Sequence, residues 1–111
     1  MNADKIIKEY KENCAKYSGG IIDLKGAITG LLNRACGGDA NRYMLLKVLT
    51  GKTSSKLLTN AEWYGLLCLV GPEKPVGGKW QSSRSDSELW QICQNVIRKA
   101  VEQPGQQVLP F

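Results

Sequence analysis

The sequence predicts an all-α fold, a single compact domain of about five helices with an ordered Gly/Pro loop between the last two. Apolar residues recur at spacings of three and four along five segments, which is the periodicity of an amphipathic helix. Glycines follow four of these segments, where helices commonly end. The chain has 111 residues, of which 42% are hydrophobic and 23% charged, enough for one core without metal or disulfide bonds. We assign residues 1–103 to this domain and residues 104–111 to a flexible or surface-laid tail.

The first two helices are predicted from their apolar faces and from the glycines that follow them. We expect the first over residues 3–17 and the second over residues 23–36. Gly26 and Gly30 lie inside the second helix, where each costs about 1 kcal/mol relative to alanine. We therefore expect another helix to approach closely at these glycines. The apolar faces contain Ile6, Ile7, Tyr10, Cys14 and Tyr17, and then Leu24, Ala27, Ile28, Leu31, Leu32 and Ala35.

The third and fourth helices are predicted from signals at their ends. Asp39 is expected to cap the third helix, residues 40–50, and Gly51 to terminate it. A capping box opens the fourth helix, because the Thr59 hydroxyl can accept from the Glu62 amide while the carboxylate of Glu62 reaches back. The predicted inner faces are Met44, Leu45, Val48 and Leu49, and then Trp63, Leu66, Leu67 and Val70.

Residues 71–84 are predicted to form an ordered loop or a short hairpin. Their two prolines and three glycines disfavour a helix. Trp80 is expected to reach the core. A second capping box at residues 85–88 is expected to open the last helix, which ends near residue 101. Its apolar face contains Leu89, Ile92, Cys93, Val96, Ile97 and Ala100.

The composition disfavours catalysis and metal binding. Histidine is absent, although it is the commonest general acid or base near neutral pH. Cys14, Cys36, Cys68 and Cys93 form no CxxC pair, so we interpret them as small buried hydrophobic residues. We find no phosphate loop, dinucleotide fingerprint or nucleophile elbow. We therefore predict a protein that is not an enzyme and needs neither a metal nor a cofactor.

The sequence also predicts where the protein works. No apolar run approaches the roughly 20 residues that span a bilayer. The first residues, MNADKIIKEYKENC, alternate charged and apolar side chains and lack the apolar block of a signal peptide. We therefore expect a cytoplasmic protein that does not enter the membrane.

Positive charge is concentrated in the middle of the chain. Residues 42–84 contain seven basic and two acidic side chains, a net charge of +5, which equals the net charge of the whole chain. Basic residues interspersed with hydroxyl side chains are typical of surfaces that bind nucleic-acid phosphate. We therefore predict binding to nucleic acid through its phosphate groups. The candidate contacts are Arg42, Lys47, Lys52, Ser54, Ser55, Lys56, Lys79 and Arg84.

The spacing of the third and fourth helices does not fit a helix-turn-helix motif, and a second function is also considered. A helix-turn-helix has a turn of 3–4 residues, whereas residues 51–58 separate the third and fourth helices here. The first turn of the fourth helix would offer Asn60 and Glu62, a poor set of base readers, so backbone contact is favoured over sequence reading.

The alternative function is a protein-interaction module, an adaptor, inhibitor, assembly subunit or homo-oligomer, which the tryptophans and the apolar tail favour.

Residues 42–67 have the sequence RYMLLKVLTGKTSSKLLTNAEWYGLL. This run, about a quarter of the chain, resembles the helical segment of the phage Mu GemA-like regulatory proteins. The resemblance implies association with DNA in phage or mobile-element gene regulation, and it implies no catalytic residues. The residues that carry it are Arg42, Tyr43, Leu45, Leu46, Thr50, Gly51, Lys52, Ser54, Ser55, Lys56, Leu58, Thr59 and Glu62.

Overall fold

The computed structural model describes residues 2–73 and 77–102, and it confirms the all-α class. Within these ranges there are five α-helices, and two short paired strands lie between the last two. The predicted tail, residues 104–111, lies outside the described residues. The elements are α1 (Ala3–Ala15), α2 (Lys25–Cys36), α3 (Asp39–Thr50), a 3-10 helix (Ser55–Leu57), α4 (Asn60–Val70), β1 (Pro72–Glu73), β2 (Gln81–Ser82) and α5 (Asp86–Glu102).

The core lies where the apolar faces of the helices meet. Helix α1 packs mainly on α4 and α3 mainly on α5, while α2 contacts α3, α4 and α5. Each fully buried aliphatic side chain contributes about 1.5–3 kcal/mol relative to exposure, so these contacts fix the arrangement of the helices. The largest fully buried side chains are Ile28, Leu32, Leu45, Leu46, Leu66, Ile92, Val70, Val96, Cys36 and Cys93.

The start and the inner face of α3 differ from prediction. Gly38 occupies the N-cap and makes no side-chain bond to the helix, so the prediction that Asp39 caps it is wrong. Leu46 is buried, whereas Met44 is 36% exposed. The buried positions are 42, 45, 46 and 49, and Arg42 is the first of them. Because Arg42 is charged, the pattern of apolar residues did not identify the buried face of α3.

Close helix contact occurs at a different glycine from those predicted. A Cβ atom on Gly65 of α4 would lie 2.5 Å from Cys14 Sγ and 2.6 Å from Tyr10 Cε1 of α1. A Cβ atom on Gly26 or Gly30 would meet nothing within 4 Å. The prediction of a close helix at Gly26 and Gly30 is therefore wrong, and Gly65 is the residue that lets α1 approach α4.

The segment between α4 and α5 is a short hairpin, as predicted. Gly71 ends α4 with φ +60°. Beyond it Pro72 pairs with Ser82 in an antiparallel register. Trp80 is half-buried rather than enclosed in the core. In the described part of the hairpin, backbone pairing joins the two strands, and Trp80 does not occupy a core position.

The cysteines only partly follow the prediction. Cys36 and Cys93 are buried, whereas Cys14 and Cys68 are partly exposed, and all four are free thiols. Within residues 2–73 and 77–102, no cluster of three His, Cys, Asp or Glu side chains is arranged to hold a metal ion.

Candidate nucleic-acid interface

The eight predicted contact residues are divided among several places. Two of them, Lys52 and Arg84, pair with carboxylates inside the fold. Lys47 is exposed on α3, and Lys79 is exposed in the hairpin loop. The remaining four line one cavity together, and they are Arg42, Ser54, Ser55 and Lys56.

Arg84 ties the hairpin to the helices on either side of it. Its Nε donates to the Leu69 carbonyl oxygen of α4 at 2.7 Å, and its Nη1 donates to Glu88 Oε2 of α5 at 3.0 Å. With these donors occupied, the guanidinium is held by the fold instead of being presented to a ligand.

Arg84→Ala is expected to lower the free energy of unfolding by about 1–2 kcal/mol, because two hydrogen bonds of a charged donor are lost. Its effect on nucleic-acid affinity is expected to be small. Urea denaturation and fluorescence anisotropy with a labelled oligonucleotide measure the two quantities. The control is Lys79→Ala, an exposed site where stability should change by less than about 0.5 kcal/mol. Unchanged stability together with a large loss of affinity would contradict this assignment.

The loop that carries the cavity is fixed at both ends. Gly51 ends α3 with φ +78°, and the Thr50 hydroxyl accepts from the Lys52 amide at 3.0 Å. At the other end the predicted capping box is present, since Thr59 Oγ1 accepts from the Glu62 amide at 3.1 Å and Glu62 Oε1 accepts from the Thr59 amide at 2.8 Å. The residues between these anchors therefore have a defined position.

An ion pair joins the two ends of this loop. Lys52 Nζ lies 2.7 Å from Glu62 Oε1, and the side chains are 34% and 19% exposed. Partial burial alone would raise the pKa of Glu62, but hydrogen bonds from Lys52 and Thr59 and the positive charge of Lys52 lower it below its ordinary value. Lys52 thus neutralises the partly buried carboxylate of Glu62. This structural role accounts for the position of Lys52, so binding of a ligand is not needed to explain it.

The cavity lies between the first turn of α3 and the loop, and we name it the Arg42 cavity. Its volume is about 240 Å³, and no carboxylate is among the residues that line it. Ser54 Oγ accepts from the Lys56 amide at 3.2 Å, which leaves its O–H free to donate. Lys56 is exposed and forms no ion pair within the described residues. The lining residues are Arg42, Tyr43, Thr53, Ser54, Ser55 and Lys56.

Arg42 is a charged side chain at an almost fully buried position in the cavity wall. It is only 10% exposed, and its Nε is buried with no hydrogen-bond partner among the described residues. Its Nη2 lies 3.7 Å from Asp39 Oδ1, beyond normal hydrogen-bond distance. Its guanidinium carbon lies 5.0 Å from the centre of the Tyr43 ring. A buried donor without a partner costs about 1–3 kcal/mol, so Arg42 occupies this core position at a cost in stability.

A second concavity adjoins the first, and we name it the α2 groove. Its volume is about 590 Å³, and Ser55 and Lys56 border it as well as the Arg42 cavity. Lys25 Nζ lies 5.7 Å from the centre of the Trp63 ring. The lining residues are Lys25, Gly26, Thr29, Gly30, Asn33, Ser55, Lys56, Leu58 and Trp63, with no carboxylate among them.

Nine residues that line these two concavities were not among the predicted contacts, and three of them bear on the binding of a strand, namely Lys25, Tyr43 and Thr53. Tyr43 carried a usable signal, because it lies off the apolar face of α3 and so has no role in the core. Thr53 belongs to the same hydroxyl run as Ser54 and Ser55. No feature of the sequence indicated that Lys25 belongs to the site, since only the packing of α2 brings it near the loop.

Comparison of the chain with protein-family models, with curated proteins and with solved structures finds no significant match. In the part of the chain that the structure describes, no helix combines the length and the apolar character that a membrane crossing requires. Inferences about function therefore depend on the residues of the two concavities.

Proposed function

We propose that this is a small non-catalytic protein that binds the phosphate backbone of nucleic acid at the Arg42 cavity. The observation that carries the proposal is the convergence on one cavity of Arg42, hydroxyl donors and Lys56, with no carboxylate in the lining. The Nε of Arg42 has no hydrogen-bond partner among the described residues. Arginine donors match the oxygens of a phosphate in geometry and charge. Phosphate is therefore the ligand group that this arrangement fits best.

Backbone contact is favoured over base reading at this site. The cavity has no Asn, Gln or carboxylate side chain to read base edges. Arg42, whose residue type can read guanine, is only 10% exposed and is not extended toward a groove. The resemblance of residues 42–67 to the phage Mu GemA-like regulators favours DNA as the partner and a regulatory role in a phage or mobile element.

The proposal is tested by anisotropy titrations of labelled DNA and RNA at several salt concentrations. Arg42→Met is expected to weaken binding roughly 10- to 150-fold, because hydrogen bonds from a charged donor contribute about 1.5–3 kcal/mol. Lys56→Ala is expected to reduce the slope of log K against log salt by roughly 0.7–0.9, the value for one phosphate contact. Lys8→Ala, on the exposed side of α1, is the matched control and should leave the slope unchanged.

Arg42→Met also separates binding from folding. The substitution removes a buried donor that has no partner. The Asp39 carboxylate that loses its ion pair is 66% exposed, so that loss costs little, and the thermal midpoint of the variant should not fall. If the wild-type protein binds no strand at low salt, or if Arg42→Met binds as tightly as wild type, the proposal is wrong. Light scattering on the same samples reports self-association, and a self-associating protein that binds no strand would favour the protein-interaction alternative.

A further inference from the structure

We infer that the natural ligand is a single strand, in which an unpaired base stacks on Tyr43 while the adjacent phosphate occupies the Arg42 cavity. This inference rests on the proposed function and names its substrate class. It depends on the side chain of Tyr43, which the phosphate-binding role alone does not use.

Tyr43 is placed where a stacking partner is needed. Its side chain is one of the few large apolar groups left exposed in the described residues, at 43%, and it lines the Arg42 cavity. The Arg42 guanidinium lies over its ring at 5.0 Å from the centre. An aromatic ring beside a cationic phosphate site is the usual arrangement for binding single strands, because every base has a flat face that can stack.

A paired base cannot use this ring. In a duplex both faces of each base are already stacked on neighbours, so contact with a surface tyrosine requires the base to be unstacked at a cost in free energy. An unpaired base carries much less of that cost. The same residues that bind phosphate in either form therefore favour the single strand.

The α2 groove provides a path for the rest of the strand. It shares Ser55 and Lys56 with the Arg42 cavity, so a strand that leaves the cavity past Lys56 enters the groove directly. A Cβ atom on Gly26 or Gly30 would meet nothing within 4 Å, so these glycines leave open space in the groove on either side of Thr29. Lys25, above Trp63, supplies a second positive charge for the next phosphate.

The test compares three labelled ligands of equal length, namely single-stranded oligothymidylate, an abasic strand with the same sugar-phosphate backbone, and a duplex. Wild type is expected to bind oligothymidylate more tightly than the abasic strand or the duplex. Tyr43→Ala should weaken oligothymidylate binding roughly 5- to 150-fold, the loss measured for one stacked base. It should leave abasic binding unchanged. Tyr43→Phe should retain wild-type affinity, and Tyr43→Leu should behave as the alanine variant.

The outcomes separate this inference from the proposed function. Equal weakening of oligothymidylate and abasic binding by Tyr43→Ala would mean that the ring only positions Arg42, and would overturn the inference. Duplex binding as tight as single-strand binding would also overturn it. Failure of the proposed function has a different signature, in which no ligand binds or Arg42→Met leaves all three affinities unchanged. The exposure of Tyr43 makes misfolding of its variants a minor concern, and equal thermal midpoints check this.

Discussion

Glu62→Ala is expected to lower the free energy of unfolding by about 2–3 kcal/mol. The carboxylate accepts from the Thr59 amide and from Lys52 Nζ, so the variant loses half of a capping box and a charge-assisted hydrogen bond. It also leaves Lys52 partly buried without its partner. Urea denaturation at neutral pH measures the change. Glu12→Ala, on the exposed side of α1, is the control and should change stability by less than about 0.5 kcal/mol.

The same carboxylate predicts a pH dependence. Its pKa in the folded protein lies below the ordinary value of 4.5, so its contribution to stability is complete above pH 4.5 and is lost as the pH falls through the folded pKa. Wild-type stability should therefore decrease below pH 4.5, and Glu62→Gln should remove part of that decrease. If the glutamine variant has the same pH profile as wild type, Glu62 is not the group responsible.

Gly65→Ala is expected to destabilise the protein by about 1–3 kcal/mol, because the added methyl group would overlap Cys14 and Tyr10. Gly30→Ala is the matched control. It has open space around it and should stabilise α2 by about 0.5–1 kcal/mol through helix propensity. Denaturant midpoints of the two variants should therefore shift in opposite directions. Cys14→Ala in the Gly65→Ala background should recover part of the loss, and an absence of recovery would contradict a clash at Cys14.

Two helix ends were predictable from local signals, although the N-cap of α3 was not. The capping box at Thr59 and Glu62 and the glycine stop at Gly51 are local signals, and the structure confirms them. The inner face of α3 was less predictable, because Arg42 occupies a core position that an apolar pattern cannot detect. Close helix contact at Gly65 was also missed, since no local signal shows which side of a glycine faces another helix.

The candidate site was only partly predictable for a related reason. Ser54, Ser55 and Lys56 could be selected because no folding role explained them. The internal pairing of Lys52 could not be foreseen, since its partner Glu62 is ten residues away and the loop must fold before they meet. Lys25 belongs to a different helix, and only tertiary packing brings it to the α2 groove.

The buried guanidinium of Arg42 has a consequence for how this position responds to selection. A library varied at position 42 and sorted for resistance to protease would be enriched in apolar residues, because they remove an unsatisfied donor from a core position. The same library sorted for ligand capture would retain arginine. At position 42, the residues that give the most stable protein would therefore differ from the residue that gives the highest affinity for ligand. Such a trade-off between stability and activity is common at functional sites.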